Sequence, residues 1–413
     1  MSILSDRLSA EILQARQRVY TVGEPTPLQR LNLPGIQAPV YAKREDLGPI
    51  RAYKWRGAFN CMAALSQEAR DKGIVAASAG NHAQGVALAA RVLNCHATIF
   101  MPRSTPEVKQ TEVRRHGGRH VKIMLHGDCY DETAAAAHEY TETHGCTFVH
   151  PYDDLVTMAG QGTLADEVVM SGEGPFDRAY VAIGGGGLAA GVSTLAKLLN
   201  PNVKVIGVEP EGAACMKASL EAGHVVSLPT ANTIADGTAV KTPGDKVFPY
   251  IRDHVDQIIT IPDTELVEAF LDVMEKHKMV VENSGLLSVA ALRHLSCQGL
   301  NVVCVLSGGN MDVITMASLV QHGLIMRGRI FTFSVLLPDR PGALLSIADI
   351  LARENGNVIK LEHNQFVNIN RQSGVELKVT LEAFGHDHKD RILEALSQAG
   401  YQAHEVDTTD FYH

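Results

Sequence analysis

The sequence is poor in the features that mark several common classes of protein. Its seven cysteines include no C-x-x-C pair, so we expect reduced thiols and neither a disulfide framework nor a zinc site. No uninterrupted apolar run approaches the roughly 20 residues that cross a membrane. The net charge of -9, without a run rich in lysine and arginine, argues against a nucleic-acid partner.

The N-terminal stretch lacks the apolar core and the cleavage site of a signal peptide. Of the 413 residues, 45% are hydrophobic and 20% are charged, which is ordinary for a globular protein of two or three domains. We therefore expect a cytoplasmic protein that binds neither membranes nor nucleic acid.

Short apolar strands alternate with helices through most of the chain. Buried strands are predicted at residues 74–77, 97–101, 179–183 and 302–306, and a helix follows each of them. This order predicts an α/β fold in which helices cover the faces of an open parallel sheet.

The pattern changes near residue 328. Strands are predicted at residues 330–337, 357–365, 375–384 and 401–406, with helices at 343–354 and 387–398. The order β-α-β-β-α-β over about 85 residues predicts a ferredoxin-like α+β domain. We expect one domain at residues 1–327 and a second at 328–413.

A lysine between two aromatic side chains stands out in the first domain. Lys54 lies between Tyr53 and Trp55, the only tryptophan, just before an Ala-rich helix. Most lysines are solvated, and the simplest interpretation is a side chain that reaches water from a helix start. Partial desolvation would instead lower the pKa of the amine, and a neutral amine can form a Schiff base with a carbonyl group.

Four consecutive glycines join the strand at 179–183 to a helix. Such a loop lets backbone N–H groups converge on an anion, and a phosphate is the natural ligand. A dinucleotide site is the competing interpretation, because Glu209 ends the next strand about 20 residues later, where a ribose-binding acid would lie. The pattern G-x-G-x-x-G is nevertheless not met.

Two further loops, residues 78–82 and 307–310, end buried strands with small polar residues. Either loop alone is best explained by local hydrogen bonds between side chain and backbone. Together with the lysine and the glycines they offer an amine, an anion cradle, an amide and a hydroxyl at the carboxyl ends of strands. That set suits a phosphorylated aldehyde cofactor with a heteroaromatic ring, which is pyridoxal phosphate (PLP).

These stretches, in this order, resemble the fold-type II PLP enzymes, whose fold is tryptophan synthase β-like, and most closely the threonine dehydratases. The resemblance spans most of residues 20–315. Its motifs are Lys-Arg-Glu-Asp-Leu at 43–47, Ala-Tyr-Lys-Trp-Arg-Gly-Ala at 52–58, Ser-Ala-Gly-Asn-His at 78–82, Gly-Gly-Gly-Gly-Leu at 184–188 and Ser-Gly-Gly-Asn at 307–310. It implies two subdomains, the smaller at roughly 50–152. Residues 339–344 resemble the single ACT-like regulatory domain of biosynthetic threonine dehydratases.

The resemblance implies a role for each matching residue. Lys54 would hold PLP as a Schiff base and would remove the Cα proton of the substrate. The implied cofactor contacts are Tyr53 on the ring, Asn81 at the 3′-oxygen, Ser307 at the pyridine nitrogen, and Gly184, Gly185, Gly186, Gly187 and Leu188 at the phosphate. The implied substrate-carboxylate site is Ser78, Ala79, Gly80, Asn81 and His82. The implied effector site is Asp339, Arg340, Pro341, Gly342, Ala343 and Leu344.

The activity implied is that of a lyase converting L-threonine to 2-oxobutanoate and ammonia in isoleucine biosynthesis, with isoleucine and valine as effectors and a homo-tetramer as the usual assembly. Ala79 stands where related serine racemases carry serine, which argues against racemisation. Cys215 replaces a carboxylate of the divalent-metal site of some relatives, so no metal is expected. Asp166 and Glu167 are expected on a helix face and not as a catalytic pair.

Three alternatives stay open at this point. The first keeps PLP but acts on another substrate, as an L-serine dehydratase or another β-eliminating lyase. The second is a nicotinamide-dependent oxidoreductase that uses the glycine run and Glu209. The third is a non-catalytic amino-acid sensor built on the ACT-like domain.

Overall fold

The computed structural model describes residues 3–364 and 374–408, and the chain divides into two compact units, Met1–Met311 and Asp312–His413. The first unit contains two sheets and the second contains one. The helix at 313–326 therefore groups with the second unit. The domain boundary near residue 328 and the inserted subdomain at roughly 50–152 stay predictions.

The larger sheet of the first unit has six strands, which are β1 (Leu28–Leu31), β2 (Val40–Arg44), β7 (Arg178–Ala182), β8 (Lys204–Pro210), β9 (Gln257–Ile261) and β10 (Val302–Leu306). Their spatial order is β1-β2-β10-β7-β8-β9. All neighbours are parallel except β1 and β2. The expected open parallel sheet is thus confirmed, with one antiparallel edge strand.

The smaller sheet has four parallel strands in the order β5-β4-β3-β6, which are β3 (Ile74–Ala77), β4 (Ala97–Met101), β5 (Val121–Leu125) and β6 (Thr147–Phe148). Every residue of β3 is buried, because helices cover both faces of this strand. The carboxyl ends of β3 and β6 lead directly into loops that carry candidate site residues.

Twelve helices of the first unit lie among the described residues: α1 (Ile3–Val19), α2 (Lys54–Ala64), α3 (Gln67–Asp71), α4 (Asn81–Val92), α5 (Glu107–Gly117), α6 (Tyr130–His144), α7 (Leu155–Met170), α8 (Gly187–Leu199), α9 (Cys215–Ala222), α10 (Phe248–His254), α11 (Asp263–His277) and α12 (Asn283–Ala290). Helices α1, α7 and α8 form one core with the larger sheet. Helices α2 and α4 form another with the smaller sheet.

Helices α2 and α7 pack closely because glycines face each other at their crossing. A Cβ on Gly160 of α7 would lie 2.5 Å from the carbonyl oxygen of Arg56, and a Cβ on Gly57 of α2 would lie 2.3 Å from Gln161. The Gln161 side chain also accepts a hydrogen bond of 3.1 Å from the Gly57 amide. This contact fixes α2, the helix that begins with Lys54, against α7 and the core of the larger sheet.

The second unit has the β-α-β-β-α-β order of a ferredoxin-like domain. After α13 (Val313–Met326) come β11 (Ile330–Leu337), α14 (Ala343–Arg353), β12 (Asn357–Asn364), β13 (Val375–Glu382), α15 (His386–Gln398) and β14 (His404–Val406). The sheet is antiparallel, in the order β12-β13-β11-β14, and α14 and α15 contribute to its core. The expected fold of the ACT-like domain is therefore confirmed, although residue 365, the predicted end of one strand, lies outside the described residues.

None of the helices in the described part of the chain is both long and apolar enough to cross a membrane.

Candidate active site

Lys54 is the first residue of α2, and its side chain is half-buried. Its Nζ donates a hydrogen bond of 2.8 Å to the carbonyl oxygen of Pro151 and lies 5.3 Å from the centre of the Tyr53 ring. Burial lowers the pKa of Lys54 to about 8, and the negative charge of Glu282 opposes that shift. The amine is thus much easier to deprotonate than that of an ordinary lysine.

The loop before Lys54 is held against the loop that follows β10. The Tyr53 amide donates to the carbonyl oxygen of Ser307 at 3.0 Å, and Ala52 and Gly308 form an isolated β-bridge. Arg51 adopts a φ of 54°, a left-handed conformation that is uncommon for a residue with a side chain. Lys54 and Ser307, which are far apart in the sequence, are therefore neighbours through their backbones.

Asn81, the first residue of α4, joins the same group of loops through Asn310. The Asn310 Nδ2 donates at 2.7 Å both to Oδ1 of Asn81 and to the carbonyl oxygen of Ile50. The structure thereby brings together three of the four predicted loops. In the loop before α4, the Ser78 hydroxyl accepts a local hydrogen bond of 3.2 Å from the Gly80 amide.

The His82 side chain forms a hydrogen bond inside the protein. Its Nε2 donates to the carbonyl oxygen of Val149 at 2.8 Å, and burial lowers the pKa of the ring to about 3. The His82 ring is therefore an unsuitable ligand for the substrate carboxylate, whereas the amides at the start of α4 have no helical partners. The contribution of these amides to ligand binding, like the role of Ala79, stays a prediction.

Glu282 is a site residue that the sequence reasoning missed. Both oxygens of its carboxylate accept from Nδ2 of Asn81, at 2.8 and 3.1 Å, and one of them also accepts from the Asn310 amide at 3.3 Å. Burial raises the pKa of Glu282 to about 7. Glu282 belongs to no recognised motif. The only indication in the sequence was that an acidic residue stands between two apolar residues and the buried helix α12.

The glycine run is required by the packing of the protein itself. A Cβ on Gly185 would lie 2.4 Å from the ring of Tyr152, and one on Gly187 would lie 2.8 Å from the Tyr152 carbonyl oxygen. Gly186 has a φ of 99°, which favours glycine, and a Cβ on Gly184 would lie 3.0 Å from the backbone of Thr238. Gly187 and Leu188 begin α8, so the loop ends at the N-terminus of a 13-residue helix.

These residues fit PLP. The amine of Lys54 is desolvated and can bond to an aldehyde, and the first turn of α8 presents N–H groups without helical partners to a phosphate. Asn81 and Ser307 lie at the ends of loops bonded to the lysine loop. The cofactor contacts of individual residues are developed below as proposals.

Glu209 does not offer its carboxylate to a ribose. The side chain is fully buried, and its two oxygens accept hydrogen bonds of 2.8 and 2.9 Å from the amides of Met216 and Lys217, at the start of α9. Burial raises the pKa of Glu209 to about 7. This geometry removes the main support for a dinucleotide site.

Glu167 does not lie on a solvent-exposed helix face. It is buried on α7, where it accepts hydrogen bonds from Lys43 and Arg56, whereas Asp166 pairs with Arg16 at 3.1 Å. The expectation that Asp166 and Glu167 do not form a catalytic pair is compatible with these separate partners.

The implied effector residues lie in the second unit. Asp339, Arg340, Pro341 and Gly342 form the connection from β11 to α14, and Ala343 and Leu344 are the first residues of that helix. Gly342 has a φ of 93°, so a glycine is favoured at this position. Their effector role stays a prediction.

The fold and this site define a fold-type II PLP enzyme, and comparison with known proteins agrees. Residues 19–308 match the family described as pyridoxal-phosphate dependent enzyme, and the chain belongs to this family.

Among curated proteins, the chain is 40% identical over 366 residues to an L-threonine ammonia-lyase of Geobacter sulfurreducens, covering 88% of this chain and 90% of the relative. It is 41% identical over 358 residues to the L-threonine dehydratase biosynthetic IlvA of Bacillus subtilis, covering 86% and 85%. The resemblance to threonine dehydratases is therefore confirmed.

Solved structures show the same likeness. The processed form of threonine deaminase isoform 2 from Solanum lycopersicum superimposes with a TM-score of 0.71 at 36% identity, covering 76% of this chain and 93% of that one. Maize serine racemase superimposes with a TM-score of 0.70 at 32% identity, covering 77% and 98%.

Proposed function

We propose that the protein catalyses the PLP-dependent conversion of L-threonine to 2-oxobutanoate and ammonia, an entry step to isoleucine biosynthesis. The observation that carries the proposal is the half-buried Lys54, which lies where the loops that bear Asn81 and Ser307 meet. The names of the relatives support threonine as the substrate.

The cofactor contacts that we propose are those implied by the family resemblance, and the bonds between the loops that carry Lys54, Asn81 and Ser307 support them. Lys54 holds the cofactor covalently, Asn81 binds its ring oxygen, Ser307 its ring nitrogen, and Tyr53 packs on its ring. Gly184 to Leu188 bind the phosphate at the N-terminus of α8. Bound PLP supplies a carbonyl group for attachment of an amine and an electron-withdrawing ring that acidifies the Cα–H bond of the attached amino acid.

The Lys54 amine acts as the base that takes the Cα proton of the substrate onto Nζ. With a pKa of about 8, its neutral fraction near pH 7 is about 300 times that of a lysine with an ordinary pKa. The Pro151 carbonyl oxygen accepts from Nζ and so orients the amine. The β-hydroxyl takes up a proton and leaves as water, and the enamine that remains is hydrolysed by water to ammonia and the 2-oxo acid.

The amides at the start of α4 bind the substrate carboxylate, since a helix N-terminus favours an anion. Ala79 in this loop carries no group that could exchange a proton from the second face of Cα, so elimination is favoured over racemisation. L-serine is the second candidate substrate, because the same proton removal and loss of a β-hydroxyl apply to it.

Replacing Lys54 with alanine tests the proposal directly. The variant should lose the visible absorbance of bound cofactor and the production of 2-oxobutanoate from L-threonine, while retaining its far-UV circular dichroism. A matched Lys72→Ala variant removes a lysine with an exposed ion pair at 2.9 Å and should behave like the wild type. An active, coloured Lys54→Ala variant would refute the proposal, and parallel assays with L-serine would rank the two substrates.

We also propose that isoleucine and valine act through the second unit, at residues 339–344, and that the protein works in the cytoplasm as a homo-tetramer. The ferredoxin-like fold of this unit and the turn at Gly342 support an ACT-like effector site. Asp339→Ala should shift the isoleucine concentration that gives a half-maximal response while leaving activity without effector unchanged. An unchanged isoleucine response, or none in the wild type, would contradict this role.

A further inference from the structure

The turn at residues 150–154 touches two parts of the candidate site at once. The carbonyl oxygen of Pro151 accepts from the Lys54 amine at 2.8 Å. The next residue, Tyr152, packs against the glycine run so closely that a Cβ on Gly185 or Gly187 would collide with it. This turn is therefore a direct link between the amine and the proposed phosphate loop.

His150 organises the turn from within. Its Nδ1 accepts hydrogen bonds from the backbone amides of Tyr152 at 3.2 Å and Asp153 at 2.8 Å. Its own carbonyl oxygen accepts from the Thr157 hydroxyl at 3.2 Å, which ties the turn to α7. The peptide units on both sides of Tyr152, the first of which carries the Pro151 carbonyl, are thus held by one imidazole.

The ring has a defined protonation state. Because two N–H groups donate to Nδ1, that nitrogen must be unprotonated, and the neutral ring carries its hydrogen on Nε2. Burial, and then the nearby charge of Lys54, lowers the pKa of His150 to about 4. The titratable groups that act on the ring electrostatically are Lys54, Asp154, His138 and Lys246. The Nδ1 acceptor is consequently available throughout the neutral pH range.

We infer that His150 is a positioning residue, which holds the Pro151 carbonyl on Lys54 and Tyr152 on the glycine run through its Nδ1 acceptor. The inference rests on the role of Lys54 in the proposed function. Without an acceptor at this place, two amides of the turn lose their partner, and the turn must rearrange to recover hydrogen bonds.

The three substitutions His150→Asn, His150→Gln and His150→Leu separate this role from simple packing. The Oδ1 of asparagine stands as many bonds from Cβ as the Nδ1 of histidine, so asparagine can accept from the same two amides. Glutamine places its oxygen one bond further out, and leucine has no acceptor. Packing alone would favour glutamine over asparagine, because its volume is nearer to that of histidine.

Two readouts on the apoenzyme apply, and neither depends on turnover. The dissociation constant for PLP, from absorbance titration, should stay within about twofold of wild type in His150→Asn and rise by about tenfold or more in His150→Gln and His150→Leu. The pH midpoint of Lys54 modification by an amine reagent, followed by mass spectrometry, should fall only in the latter two, since a lost Pro151 acceptor destabilises the ammonium form.

The inference is overturned if His150→Gln matches His150→Asn, if glutamine is the better replacement, or if all variants match the wild type. If His150→Leu fails to fold, the comparison of PLP affinity and Lys54 midpoint between His150→Asn and His150→Gln still tests the inference. Lys54→Ala serves as the reference. If Lys54→Ala keeps the cofactor absorbance and the activity, the proposed function itself fails. If Lys54→Ala is inactive but His150→Asn does not bind PLP more tightly than His150→Gln, only the inference about His150 is refuted.

Discussion

Replacing Arg56 with methionine is expected to destabilise the first unit strongly, because Arg56 is the cation at the centre of a buried ionic cluster. Its side chain is fully buried and donates to both oxygens of Glu45, at 2.8 and 2.9 Å, and to both oxygens of Glu167. Lys43, also buried, contacts Glu167 as well. Burial alone would raise the pKa of Glu167, but Arg56 and Lys43 outweigh it, and the net shift is downward.

The expected loss in the free energy of unfolding depends on which carboxylate loses its partner. After Arg56→Met, Glu167 keeps its bond to Lys43, whereas Glu45 keeps only the hydroxyl of Thr26 as a side-chain hydrogen-bond partner among the described residues and is attracted by the charge of Lys43 without contact. Removing one partner of a buried ion pair costs about 3–5 kcal/mol, so we expect a loss of about 4 kcal/mol in the free energy of unfolding. At about 2 °C per kcal/mol for a large domain, the unfolding midpoint should fall by about 8 °C.

The assay is thermal unfolding of the apoenzyme followed by far-UV circular dichroism. The double variant Arg56→Met/Glu45→Gln should be more stable than Arg56→Met alone by about 1–2 kcal/mol, because the carboxylate that lost its hydrogen-bonded cation is gone. The gap between wild type and Arg56→Met should also narrow as the pH falls below 4.5, since Arg56 holds the pKa of Glu167 below that value and its contribution is lost once Glu167 is protonated.

The control is Arg115→Met, which removes an exposed pair with Glu112 and should change stability by less than about 1 kcal/mol. An Arg56→Met midpoint within about 1 °C of wild type would refute the reasoning. So would a double variant less stable than the single one, because that result would mean that Glu45 gains nothing from losing its charge.

Two further predictions concern the candidate site. Gly185→Ala should raise the dissociation constant for PLP by about tenfold or more, measured by absorbance titration, because the added Cβ would lie 2.4 Å from the Tyr152 ring. Glu282→Gln should lower the pKa of Lys54 below about 8, because the carboxylate stabilises the ammonium form; the pH midpoint of amine modification in the apoenzyme measures this shift.

Each of these has a matched control. Gly145→Ala at the end of α6, where φ is 64° and an added Cβ meets no atom within 4 Å, should strain only its own backbone and leave cofactor affinity unchanged. Glu68→Gln removes an exposed carboxylate and should not move the Lys54 midpoint. Equal PLP affinity of Gly185→Ala and wild type, or an unmoved midpoint in Glu282→Gln, would contradict the geometry described here.

The fold could be predicted well where local patterns are strong. The strands at 74–77, 97–101 and 302–306 and the order of the second unit match the structure, because apolar runs bounded by turn residues report burial directly. Helix α7 contains Gly160 and Gly162, two residues of low helix propensity, which permit close packing against neighbouring helices. Strand β9, the partly buried edge strand Gln257–Ile261, was missed although its isoleucines and threonine favour a strand.

Much of the candidate site was also visible in the chain, since Lys54, Asn81, the glycines and Ser307 all stand at strand ends or helix starts. Glu282 and the turn around His150 were not visible. Each acts through partners that are distant in sequence, and neither has a local pattern that distinguishes it from an ordinary acid or loop histidine.

The sequence by itself determined the order of strands and helices and the chemistry available at the strand ends, because both depend on residue type and short-range spacing. Only the tertiary structure decided which of these groups meet and in what electrical environment. Desolvation and Coulomb interactions depend on distance in space, so the lowered pKa of Lys54, the raised pKa of Glu282 and the charge balance around Arg56 exist only once the loops are assembled.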